Sequence, residues 1–223
     1  MKVFGLFAVV AALFAPGRAD AIVVPSPGSA LPPVFHGTIS RLDAEMRERM
    51  TGVSWHAGCP VGLRDLRLLK LDHWAYDGSL KHGRLVVHEQ AARRIRNVFA
   101  RLFEIRFPIR RMRLIDAYDG SDGRSLRANN TSAFNCRFVA GTTRWSMHAF
   151  GLAIDVNPVQ NPFVSGSHVS PPAGADYLDR SRRAKGMIHA GDRVVRAFAA
   201  AGWEWGGYWT SPKDYQHFSS NNR

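Results

Sequence analysis

A chain of 223 residues with 45% hydrophobic side chains suits one domain of ordinary size and is too apolar to be disordered throughout. Its formal charge of +12 calls for an anionic partner. Beyond the first 21 residues, no stretch is long and apolar enough to span a bilayer.

The N-terminus reads as an export signal over residues 1–21. Met1-Lys2 is a short basic start, Val3–Ala15 is an apolar run of thirteen, and Ala19-Asp20-Ala21 is a small-x-small cleavage site. An uncleaved N-terminal anchor is the alternative. Export to a secreted or cell-envelope location changes two other readings. The positive charge then points to wall polymers or lipid headgroups and away from nucleic acid. The two cysteines, Cys59 and Cys136, become the ends of an expected disulfide, with two free thiols as the alternative.

Ile22–Phe35 is rich in Pro, Ser and Gly and reads as a linker or surface arm. A short helix is predicted at Arg41–Met50, so residues 22–50 form an N-terminal segment ahead of the main domain at 51–223. Leu66–Gln90 reads as two strands joined at Asp77-Gly78. From His88 to about Phe107, Ala91, Ala92, Ile95, Val98, Phe99, Leu102 and Phe103 recur at helical spacing, with Pro108 as the stop. Arg111–Gly120 reads as a strand entering a loop, and Ser121–Phe138 as polar loop. Gly151–Pro158 is strand-like, and Val159–Ala175 is a long Pro/Gly/Ser-rich loop. A second helix is expected at Asp192–Ala201, ending at Gly202. This mixed order predicts an α+β fold rather than a doubly wound sheet.

The chemistry lies in two stretches. In Arg144–Pro158, His148 and Asp155 are seven residues apart, an interval that would send them to opposite faces of one extended strand. Gly151 permits a turn between them. Asp155 stands amid apolar residues, where a carboxylate is costly unless paired. A metal would pair it, and a structural ion pair is the plainer reading. In the second stretch, Asp214-Tyr215-Gln216-His217-Phe218, a bend would bring Asp214 and His217 together. A catalytic zinc takes three protein ligands and keeps one position for water. His148, Asp155 and His217 supply such a set, with Asp214 as general base and Glu204 as its rival. Trp205 and Trp209 are candidates to flank a cleft. The remaining histidines lack matched partners.

Ser146, His148, Gly151, Ala153 and Asp155 together resemble the first signature of the D-alanyl-D-alanine carboxypeptidase / L-alanyl-D-glutamate endopeptidase family of zinc peptidases, and Asp214 with His217 resembles the second. The likeness spans roughly Asp116 to Phe218. It implies Zn2+ held by His148, Asp155 and His217, a base at Asp214, and peptidoglycan stem peptides as substrate. It also implies a small antiparallel sheet flanked by helices, as in Hedgehog and DD-peptidase folds. Aspartate at the base position resembles the endopeptidase branch. The family's upstream arginine falls on Arg137, with Arg144 and Arg127 as alternatives, and Ser146 would orient a ligand or the substrate. A monomer acting on wall peptides near anionic wall polymers is the expectation. Its rivals are a non-catalytic, zinc-containing wall-binding module on the same fold and a basic nucleic-acid-binding protein, which export disfavours.

Overall fold

The computed structural model describes Met1 and residues 33–221. The expected export signal, and the linker up to residue 32, lie outside the described residues. From Val34 on, the chain forms one compact unit.

In chain order it runs through β1 (Gly37–Arg41), α1 (Ala44–Met50), β2 (Leu66–Trp74), β3 (Leu80–His88), α2 (Glu89–Glu104), β4 (Arg111–Met112), α3 (Asp122–Arg127) and β5 (Asn130–Thr131). It continues through β6 (Ala153–Asp155), β7 (Phe163–Ser165), β8 (His168–Ser170), α4 (Arg193–Ala199), β9 (Glu204–Trp205), β10 (Lys213–Asp214) and β11 (His217–Ser219). The architecture is α+β, with small antiparallel sheets and few helices, as the sequence predicts.

The longest sheet is β1-β2-β3, antiparallel throughout, with Leu69 opposite Leu85 and Ile39. Alternation along β2 divides the core. Leu69 and Leu71 join Leu85 and Val87 under the apolar face of α2, where Ile95, Phe99 and Leu102 are buried. Leu66 and Leu68 face the other way and pack with Met46, Met50, Leu114 and Phe134. The same main core takes in Ile154, Phe198 and Phe218, so the short strands that carry polar residues rest on the α2 layer.

Several boundaries differ from the sequence reading. Arg41 belongs to β1, and the short helix begins only at Ala44 behind its N-cap Asp43. Helix α2 ends before Pro108. Arg106 adopts φ 52°, and the amides of Arg106 and Phe107 donate to the carbonyls of Phe103 and Leu102, which closes the last turn. Ser121–Phe138 contains α3, capped by Ser121, and β5. The loop expected at 159–175 contains the β7–β8 hairpin. A hairpin with two or three residues per arm has too little periodicity to show in a sequence. Residues 37–50 are built into the unit's sheet and its second core.

Candidate metal centre and active site

The site rests on the antiparallel sheet β6-β11-β9. In its register His217 lies directly opposite Asp155, and Phe218 opposite Ile154. Direct partners share a face. Ile154 and Phe218 turn into the core, so Asp155 and His217 both turn away from it. The backbone of Asp155 is also held from the far side: it exchanges both amide–carbonyl bonds with Ser132, at 2.9 and 3.1 Å.

His148 reaches the same face through the bend its spacing requires. Met147–Phe150 is a single 3-10 turn, and the Ser146 Oγ accepts from the His148 amide at 3.3 Å. Gly151 then takes φ +66° and breaks the turn before β6. A Cβ there would lie 2.6 Å from the His88 amide nitrogen, so both the conformation and the close approach require glycine.

The ligand atoms of His148, Asp155 and His217 lie within 4.8 Å of one another, and all three residues are buried. His148 Nδ1 meets the Ala133 carbonyl at 2.6 Å. A carbonyl only accepts, so Nδ1 donates, and Nε2, 3.3 Å from Asp155 Oδ2, is left to face the cluster: it donates to the carboxylate when the ring is charged and offers its lone pair to a metal when the ring is neutral. His217 Nδ1 stands 3.1 Å from Asp155 Oδ1. Burial alone would push the Asp155 carboxyl up, but the imidazoles of His148 and His217 hold it well below the usual carboxylate range. Two imidazoles and one ionised carboxylate, converging and buried, are a donor set that fits zinc.

Asp214 is brought beside this cluster by a different strand. It lies on β10, opposite Phe163 of β7, and the turn Tyr215-Gln216 spans the interval to His217. The backbone of Gly206 packs against it, and a Cβ there would come within 2.6 Å of the Asp214 carbonyl. That contact accounts for the first glycine of Trp205-Gly206-Gly207. Oδ1 of Asp214 is buried and makes no hydrogen bond among the described residues. Burial pushes its carboxyl up to about 6, with Asp155 adding to the rise and His217 opposing it.

A cleft of about 1150 Å³ contains all of these groups. Ser146, His148, Asp155, Asp214 and His217 line it, together with Arg137, Arg144 and Trp209. Asp122, Phe163 and His168, which the sequence reading did not select, also line it. Asp122 sat in a stretch read as loop, and His168 had no partner in sequence to single it out. Three expected residues lie elsewhere, and Arg127, on α3, is one that does not line the cleft. Trp205 is 3% exposed, packs in the core and donates its indole N–H to the Tyr215 carbonyl. Glu204 is exposed, faces Ser219 across β9–β11, and does not line the cleft. A short strand places neighbours on opposite faces, which a cluster of aromatic and glycine residues does not reveal in sequence.

Residues 140–220 match the D-alanyl-D-alanine carboxypeptidase family model. The matched segment contains His148, Asp155, Asp214 and His217 and begins after Arg137, so it is narrower than the likeness read from the motifs. The match supports a metallopeptidase. No curated protein matches the chain.

Near the cleft, Cys59 and Cys136 form a disulfide. It fixes the residue just before Arg137, whose guanidinium pairs with Asp122.

Proposed function

We propose that the chain is an exported zinc peptidase that hydrolyses peptidoglycan stem peptides, at either a D-alanyl-D-alanine or an L-alanyl-D-glutamyl bond. The observation that carries this reading is the buried His148–Asp155–His217 cluster sharing one cleft with Asp214 Oδ1, which has no hydrogen-bond partner among the described residues. Export is supported by the signal-like N-terminus and by the disulfide. The charge of +12 supports retention near anionic wall polymers.

Zinc, when bound by His148, Asp155 and His217, supplies Lewis acidity and makes a water acidic near neutral pH. The protein's own groups do the rest. Asp214 Oδ1 takes the proton from the attacking water and delivers it to the leaving amine. Its raised pKa suits both halves of that exchange. Arg137 faces the cleft with a buried Nε that lacks a partner among the described residues. It holds an anionic or carbonyl oxygen of the substrate. Ser146 keeps the His148 turn closed, and Trp209 forms a wall beside His217, with ring centres 5.5 Å apart.

The test is mass spectrometry of muropeptides from purified peptidoglycan after incubation with the protein, with and without a zinc chelator. Loss of terminal D-alanine alone marks a carboxypeptidase, and a cut between L-alanine and D-glutamate marks an endopeptidase. Absence of any product from a zinc-loaded protein favours the wall-binding module instead.

A further inference from the structure

We infer that Asp122 is the positioning residue for Arg137. The inference rests on the reading of Arg137 as the substrate-holding arginine.

Asp122 is the first residue of α3, which Ser121 caps. Both of its carboxylate oxygens are engaged. Oδ1 accepts from Asn135 Nδ2 at 3.2 Å, and Oδ2 pairs with Arg137 Nη2. Asn135 is in turn fixed, because the same Nδ2 donates to the Gly120 carbonyl and its amide donates to the His148 carbonyl. This ties Asp122, through one side chain, to the turn that carries a candidate zinc ligand.

The backbone before Arg137 is rigid, since Cys136 is disulfide-bonded and its amide donates to the Ser54 carbonyl. The long side chain is not fixed by that. Its Nη1 reaches only the neighbouring Phe138 carbonyl at 3.2 Å. An unconstrained arginine loses rotamer freedom when it is ordered. The Asp122 carboxylate orders it beforehand and leaves Nε pointing to no protein acceptor among the described residues. A carboxylate lining a cleft for acidic stem peptides would repel them if it stood alone. Paired with Arg137, it is neutralised while the arginine keeps donors to offer.

The experiment is a double-mutant cycle on muropeptide hydrolysis by the full chain, using Asp122→Ala, Arg137→Ala and the double variant, with Asp122→Asn as the conservative partner. Zinc content and melting temperature are measured alongside. Asp122→Ala should lower kcat/KM about tenfold with zinc content unchanged, Asp122→Asn should recover part of it, and the double variant should equal Arg137→Ala. If Arg137→Ala is impaired and Asp122→Ala is not, the positioning role is overturned and the arginine reading stands. If Arg137→Ala is fully active, the arginine reading itself fails. Additive losses, or loss of zinc in both Asp122 variants, would make Asp122 merely structural and also overturn the proposal. A readout independent of turnover is the Arg137 Nε–H resonance. It should be dispersed in the wild type and move to the free-arginine position in Asp122→Ala, and no movement contradicts the proposal even if no substrate is cut.

Discussion

Asp214 and Asp155 are two carboxylates in one cleft with opposite fates. Imidazoles on either side keep Asp155 ionised, whereas burial makes the proton on Asp214 easier to retain. A base must be deprotonated to act, so hydrolysis should fail as pH drops through the Asp214 pKa. A cation in the cluster draws that pKa down from about 6 toward the ordinary carboxylate value of about 4. The acid limb of kcat/KM should therefore fall between these two values, and a limb centred above pH 7 would contradict the assignment. Glu204, exposed and outside the cleft, is not placed to reach a water at the cluster.

At the scale of elements, the site depends on short strands held in register. Gly151 lets the chain turn between His148 and Asp155. Gly151→Ala should cost more than about 1 kcal/mol, because it strains a left-handed residue and drives a Cβ against the His88 amide. The same variant should weaken zinc binding, measured by competition with a chromophoric chelator, since both ligands flank the turn. Strand β2 makes a separate prediction. His73 is 5% exposed, its Nδ1 has no hydrogen-bond partner among the described residues, and burial lowers its pKa from 6.5 to about 4. The unfolded chain binds that proton more readily, so this contribution is complete above pH 6.5 and is lost as pH falls toward 4. The loss is about 3 kcal/mol over that window, and His73→Phe should remove it in urea titrations at the two ends. Long elements were legible in sequence because their periodicity is long. The α2 stripe and the strands flanking Asp77-Gly78 are cases in point. The three zinc-ligand candidates were legible because paired signatures specify them. The β7–β8 hairpin, α3 and the outward placement of Glu204 were not, because two- to six-residue elements are set by tertiary pairing rather than by local pattern.

For the molecule as a whole, the disulfide links parts of the chain 77 residues apart and sits one residue from Arg137. Removing it by Cys59→Ser with Cys136→Ser should lower stability by about 2–4 kcal/mol in denaturant titration. A change in stability below 0.5 kcal/mol would mean that the tether contributes little. No helix among the described residues is long and apolar enough to cross a membrane. Under the proposed function, the charge of +12 would keep the protein at an anionic wall while the cleft would cut the peptide.

The most direct test separates metal binding from proton transfer. Zinc stoichiometry and muropeptide hydrolysis should be measured side by side for the wild type, His148→Ala and Asp214→Ala. The account predicts that His148→Ala loses both, while Asp214→Ala keeps its zinc and loses hydrolysis by about a hundredfold or more. An Asp214→Ala protein that remains fully active, or a His148→Ala protein that still holds zinc and cuts, would contradict it.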